Sequence, residues 1–513
     1  MSEPLWSPSA ERVARANMAA FLQTVEDEQG LTFRSFAELY DWSVGNPERF
    51  WPTMWRFGRI VSSKLWTTLL ENGDRMPGAR WFVGARLNFA ENLLRYRDDQ
   101  PAIVFVGENE SRRTLTYAET YEQVARLAAA LRKLGVGPGD RVVGFIPNLP
   151  EAILAMLAAA SIGAVWSSCS PDFGINGVMD RFGQIEPKVL FAADGYFYNG
   201  KTIDSLDRVK GITQRIASLE RVVVVPYAHD TPDLTGLDKA VLFADFLTPS
   251  AEPLEFAQLP FDHPLYIMYS SGTTGMPKCI VHGAGGTLIQ HLKELMLHTD
   301  LKRSDRIFYF TTCGWMMWNW LVSSLAVGAT VLLYDGSPFY PDGNRLFDLA
   351  AAEGMTVFGT SAKYIASVEK AGLEPAKTHD LSALRAMLST GSPLAPEQFD
   401  FVYRGIKPDL QLASISGGTD IISCFALGNP IGSVHRGELQ TRGLGMKVEV
   451  FADDGRSIRG QKGELVCTAP FPSMPIYFWN DPDGRKYHEA YFEVYPNVWR
   501  HGDYVELTED DGL

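Results

Sequence analysis

From about residue 100 the chain alternates short apolar, β-branched runs with longer stretches whose apolar positions recur every three or four residues. Residues 102–106 read as a strand. Residues 117–134 carry Val124, Leu127, Leu131 and Leu134 at helical spacing and end at Gly135. The pattern repeats with a strand at 141–146 and a helix at 150–162 that is apolar on all sides and therefore buried. Further strands are expected at 189–192, 221–225, 306–310, 330–334 and 357–359, with helices between the last three. Strand and helix in alternation is the pattern of an α/β fold. Ahead of this body, residues 1–85 hold Trp6, Phe21, Phe33, Phe36, Tyr40, Trp42, Phe50, Trp51 and Trp55 with few strand-like runs. They are expected to form a helical cap whose aromatics pack on the main body. After about 430, short runs at 448–451, 464–467 and 504–507 separated by glycines suggest a small β sub-domain. The expected division is 1–85, 86–430 and 431–513.

Composition narrows the class. Hydrophobic content of 46% with 21% charged residues suits a globular protein with a large core. A net charge of −14 argues against nucleic-acid binding, which needs a basic face, so any site for a phosphate ligand must build its own positive field. The cysteines Cys169, Cys279, Cys313, Cys424 and Cys467 are odd in number and lack C-x-x-C spacing. That argues for reduced thiols in the cytoplasm, not disulfides or zinc. The longest apolar run, 152–166, contains Gly163 and is too short to span a bilayer; the start of the chain is polar and has no leader-like pattern.

The strongest chemical signal lies at 269–278, after the apolar run 265–268. Ser270, Ser271, Gly272, Thr273, Thr274, Gly275 and Lys278 fall within nine residues. Glycines let backbone N–H groups approach an anion, hydroxyls donate to phosphate oxygens, and a lysine adds a point charge. Composition alone would also suit a surface turn, but the order and spacing favour a grip for nucleotide phosphates. It is not a Walker A loop, because Pro277 stands where the second glycine would be. The apolar Ile280-Val281 beyond it suggests strand–loop–strand.

This loop resembles the signature loop of the adenylate-forming enzymes, the superfamily of acyl-CoA synthetases, luciferases and peptide-synthetase adenylation domains. Four more segments match that superfamily in order: Gly391-Ser392-Pro393, Ser416-Gly417-Gly418-Thr419-Asp420, the run 462–466, and His501-Gly502-Asp503. Segments 78–92, 166–174, 181–188 and 194–201 further resemble the branch that activates acetoacetate. The resemblance implies the large N-terminal domain of such an enzyme: two layered α/β sub-domains and a small β-barrel-like one. It also implies a hinge and a mobile C-terminal domain soon after Asp503, whereas this chain stops at Leu513. The expectation from that is adenylate binding with impaired overall synthesis.

By the same resemblance, the substrates are ATP, acetoacetate and CoA, with Mg²⁺. Ser270, Ser271, Gly272, Thr273, Thr274 and Lys278 would hold the phosphates. Gly391, Ser392 and Pro393 would take the adenine, Gly418 and Thr419 the α-phosphate region, and Asp503 the ribose hydroxyls. Thr419 and Lys278 would be catalytic. Asp420 would take the metal, although the superfamily usually has Glu there and Asp also suits a helix cap. The acyl pocket would be walled by Trp315, Met316, Met317, Thr390 and Gly417. Acetate-activating relatives have tryptophan at the position of Gly417, so glycine would open the pocket to a longer acid. Asn319 or Ser416 could donate to a keto group, and the two methionines also suit a plain core. For CoA the resemblance points at Trp166, Ser167, Ser168 and Lys201; a solvated surface lysine would look the same. Other short carboxylates, transfer to a carrier protein, or a non-catalytic adenylate-binding module remain open alternatives.

Overall fold

A computed structural model describes residues 3–250, 253–270 and 275–513. Two large sheets dominate it. One has eight strands, in the order Ala240–Leu242, Arg221–Val225, Val189–Ala193, Arg141–Phe145, Val165–Cys169, Pro264–Ser270, Lys278–Gly283 and Tyr477–Phe478. The first six run parallel, and the last two antiparallel to their neighbours. The other has seven, in the order Gln411–Ser414, Ala386–Thr390, Val357–Ser361, Arg306–Tyr309, Thr330–Asp335, Pro101–Gly107 and Arg112–Thr116, with only the last antiparallel. Parallel sheets must be covered on both faces, which is why their strands read as unbroken apolar runs.

Local chemistry sets the elements between. Helix Tyr117–Lys133 starts at a capping box: Thr116 accepts from the Glu119 N–H, and the Glu119 carboxylate accepts from the Thr116 N–H. Helix Pro150–Ser161 is buried at every position, in keeping with its lack of a polar face. Two small antiparallel sheets follow: Ser416–Gly418, Ser423–Leu427 and Thr441–Arg442, then Val448–Phe451, Lys462–Cys467 and Trp499–Glu506.

The N-terminal segment is helical only in part. Helices Ala10–Arg15, Asn17–Gln29, Phe36–Gly45 and Pro47–Phe57 give way to an antiparallel pair, Thr68–Glu71 with Arg80–Val83. The pair escapes a pattern reading because each strand has four residues, too few for an alternation to register. Its Trp81 and Phe82 complete a ring cluster with Trp51 and Trp55, at 6.0 Å for Trp51–Trp81 and 4.8 Å for Trp55–Phe82.

Helix Ala284–Leu292 and the wide-turn helix Lys293–His298 carry a row of buried polar side chains. His282, just before them, bonds the Thr419 carbonyl at 2.8 Å, and His291 Nε2 bonds the Ile422 carbonyl at 2.7 Å. His298 Nδ1 donates to the Gly428 carbonyl at 2.8 Å, while its Nε2 accepts from the Leu444 N–H. Burial pushes the His282 imidazole down to about 4 and that of His298 down to about 3. Both are therefore neutral in the folded state at pH 7, whereas in the unfolded chain they protonate near 6.5. The unfolded state binds more protons below that value, so this stability is complete above pH 6.5 and declines as the pH falls. By pH 5 each histidine is expected to have removed about 2 kcal/mol of unfolding free energy. Urea unfolding at pH 7 and pH 5 measures it, and equal midpoints would refute the expectation.

Candidate active site

In open α/β sheets ligands bind beyond the C-terminal ends of the parallel strands. Both large sheets direct those ends into one cavity of about 630 Å³. Asn148 and Ser170 reach it from the eight-stranded sheet; Thr311, Gly336 and Gly391 follow three strands of the other, and Thr360 lies near the end of a fourth. Among the described residues, the buried Asn148 Nδ2, Thr312 Oγ1 and Thr360 Oγ1 on its wall have no hydrogen-bond partner. Unpaired buried polar atoms are costly, so these three favour a polar ligand group or water at this wall. Burial also raises the Asp335 carboxyl on the cavity wall to about 7.

Trp315, Met317, Thr390 and Gly391, expected around the acyl and adenine groups, all line this cavity. Trp315 is 66% exposed, a large apolar face left open at a cavity mouth. Gly391 has φ +88°, a turn that favours glycine, and Ser392 and Pro393 beside it are exposed. Two expected wall residues lie elsewhere. Met316 is buried in the core. Gly417 is not among the lining residues: a β-carbon there would stand 2.2 Å from the Ser423 carbonyl oxygen and 2.7 Å from Cys424 Cα. Glycine at 417 fits the close approach of the neighbouring strand.

The motif at 270–278 is flanked by two strands, with Ser270 opposite Lys278 across the antiparallel pair. Ser271, Gly272, Thr273 and Thr274 lie outside the described residues. Lys278 Nζ is 2.8 Å from Asp420 Oδ1, and Ser270 Oγ is 3.4 Å from the same oxygen. The two motifs, 142 residues apart, thus meet at one carboxylate. Burial opposes ionisation of Asp420, but the Lys278 ammonium and the Tyr491 hydroxyl outweigh it and hold the carboxyl below the usual range. Tyr491, unmarked by any pattern in the sequence, donates to Asp420 Oδ1 and accepts from Lys278 at 3.3 Å. Thr419 is fixed through its carbonyl by His282. Gly418 faces His501, 3.9 Å from a β-carbon built there, so the strand Trp499–Glu506 brings the half-exposed Asp503 to this side.

The residues expected at CoA do not gather. Trp166 is 1% exposed and stacks on Trp318; Ser167 Oγ donates to the Ile267 carbonyl, and Ser168 Oγ to that of Cys313. A ring with no free face and hydroxyls already spent inside the fold have little to offer a cofactor. Lys201 is exposed and opens the second strand of the pair Gly195–Tyr198 with Lys201–Asp204, whose Tyr196, Phe197 and Tyr198 line the cavity. Glu108 fastens this hairpin, accepting from the N–H groups of Asn199 at 2.9 Å and Gly200 at 2.7 Å. Neither Tyr491 nor Glu108 stands in a local motif, because each acts on residues far away in the chain.

Two large α/β sheets with a cavity at their strand ends, and a Gly-Thr-Asp turn bonded to Lys278, fit an AMP-binding enzyme. The AMP-binding enzyme family matches residues 89–478, the acetyl-coenzyme A synthetase N-terminus matches 36–93, and the chain belongs to the AMP-binding enzymes. The acetoacetyl-coenzyme A synthetase of Rhizobium meliloti (strain 1021) is 56% identical over 99% of this chain and 78% of the relative. The acetoacetyl-CoA synthetase of Danio rerio is 48% identical over 100% of this chain and 77% of its own. The solved acetoacetyl-CoA synthetase from Streptomyces lividans is 45% identical, with a TM-score of 0.95, and the match covers 100% of this chain and 79% of that one. Within the AMP-binding enzymes, the chain stands on the acetoacetyl-CoA synthetase branch. Among the described residues no helix is long and apolar enough to cross a membrane.

Proposed function

We propose that this chain activates acetoacetate with ATP and transfers the acyl group to CoA. The observation that carries the reading is the Lys278–Asp420 contact at the C-terminal end of strand Pro264–Ser270, in a chain whose relatives above are acetoacetyl-CoA synthetases. In the first half-reaction a carboxylate oxygen of acetoacetate bonds to the α-phosphorus of ATP. The bond from that phosphorus to the bridging oxygen breaks, giving acyl-adenylate and pyrophosphate. In the second, the CoA sulfur bonds to the acyl carbonyl carbon and AMP leaves, giving acetoacetyl-CoA. Such chemistry depends on positioning and charge neutralisation.

Lys278 and Ser270, with Ser271, Gly272, Thr273 and Thr274, hold the β- and γ-phosphates. Thr419 donates to the α-phosphate, Gly391 with Ser392 and Pro393 seats the adenine, and Asp503 accepts from the ribose hydroxyls. Trp315, Met317 and Thr390 wall the acyl group, and Lys201 on the cavity hairpin serves a CoA phosphate. Asp420 suits Mg²⁺, which takes one or two carboxylates and fills its shell with phosphate oxygens. The ion supplies neutralisation of phosphate charge. Five buried, unpaired cysteines support a reducing compartment, and we place the protein in the cytoplasm.

The test is calorimetric binding of two non-hydrolysable adenylate mimics, one acetoacetyl and one acetyl. The acetoacetyl form is expected to bind about tenfold tighter, from extra apolar burial and a hydrogen bond to the keto oxygen. Tighter acetyl binding would overturn the substrate, and no binding of either would overturn the nucleotide site.

A further inference from the structure

We propose that Tyr491 is a positioning residue of the nucleotide site, aiming the Asp420 carboxylate at the incoming cation; this rests on the reading of Asp420 as the metal carboxylate. Tyr491 closes the helix Arg485–Tyr491 and is 4% exposed. Its ring lies flat on Trp499, centroids 3.8 Å apart and planes at 15°, and meets Phe478 edge-on at 5.9 Å. Packing from separate strands therefore fixes the ring, and with it the position of the hydroxyl at its tip.

That hydroxyl donates to Asp420 Oδ1, which also receives Ser270 Oγ and Lys278 Nζ. A carboxylate oxygen has about two lone-pair sites, so three donors saturate Oδ1 and leave Oδ2 to face a cation or its water. The three donors differ in freedom. Lys278 sits on a flexible four-carbon stem and can leave for an arriving phosphate. Ser270 is at the long end of hydrogen-bond range. Tyr491 alone is held by stacked rings, so it keeps Oδ1 engaged and Oδ2 aimed while Lys278 moves. A short carboxylate has little reach of its own, and its orientation matters correspondingly more.

The experiment compares the unchanged chain with Tyr491→Phe and Asp420→Asn, measuring calorimetric affinity for ATP across a Mg²⁺ series and for AMP without metal. Tyr491→Phe keeps the ring on Trp499 and removes only the hydroxyl, with its bonds to Asp420 and Lys278. Its Mg²⁺-dependent gain in ATP affinity is expected to fall about tenfold, a hydrogen bond to a charged group, with AMP affinity held within about twofold. Asp420→Asn should lose the Mg²⁺ dependence. If Asp420→Asn loses it and Tyr491→Phe keeps it, the role of Tyr491 is overturned and the reading of Asp420 stands. If Asp420→Asn keeps it, the metal assignment falls and takes this inference with it. Equal loss of ATP and AMP affinity in Tyr491→Phe would also overturn it, since that marks a general structural effect.

Discussion

Replacing Glu294 with alanine is expected to destabilise the protein by about 3–5 kcal/mol, the cost of breaking a buried ion pair from one side. Glu294 and Lys293 are both fully buried, with Lys293 Nζ 3.5 Å from Glu294 Oε1. The carboxylate also accepts from Ser423 Oγ, from the Cys424 N–H at 3.1 Å and from Trp320 Nε1 at 2.9 Å. Alanine would orphan all of these donors and leave the ammonium without its counter-charge. Burial already lowers the Lys293 pKa, so the lysine can shed its proton and limit the damage. Glutamine keeps the shape and most acceptors, and should therefore cost distinctly less than alanine. Urea unfolding of the two variants measures both. An alanine cost under about 1 kcal/mol would mean that the network does not clamp the strand Ser423–Leu427 as its geometry indicates.

A second large effect is expected from adding a single carbon to Gly417. The methyl of Gly417→Ala would overlap the backbone of Ser423 and Cys424, and backbone cannot swing aside as a side chain can. The strand would have to shift, at about 1–3 kcal/mol or more. The shift reaches Thr419 and Asp420, on the turn that joins the two strands, so adenylate-mimic affinity should fall with stability. The adjacent Gly418→Ala is the control: its β-carbon meets nothing closer than His501 at 3.9 Å. That variant should stay within about 1 kcal/mol of the parent, helped by the lower entropy of its unfolded chain. Equal behaviour of the two variants would refute the close-approach explanation for Gly417.

Gly417 also marks the limit of motif reading. The motif places a glycine at this position, and comparison with a bulkier residue suggests an open pocket. The direction of the missing β-carbon depends on how Ser416–Gly418 pairs with Ser423–Leu427, and that register shifts between Ser416 and Gly417. Trp166 teaches the same lesson: its neighbourhood in sequence looks like a ligand segment, yet its ring is core. By contrast Thr390 and Gly391 line the cavity because they end the parallel strand Ala386–Thr390, while Trp315 and Met317 reach it from the cap and first turn of the helix Met316–Val322.

The sequence by itself determined the α/β class, the two runs of strands, the helix from Tyr117 and the hydroxyl-, glycine- and lysine-rich motif with its order of companion motifs. These are local matters: period of burial, helix stops, and hydroxyl, glycine and lysine within a few residues of one another. Only the tertiary structure decided that Asp420, Lys278 and Tyr491 share one oxygen, that His282 and Glu294 hold the turn carrying Thr419, and that Gly417 faces backbone. Apart from the Gly417 approach, those contacts join residues 71 to 142 positions apart. No local propensity encodes such distances, because they follow from which strands pair, in what register, and how two sheets close on one cavity.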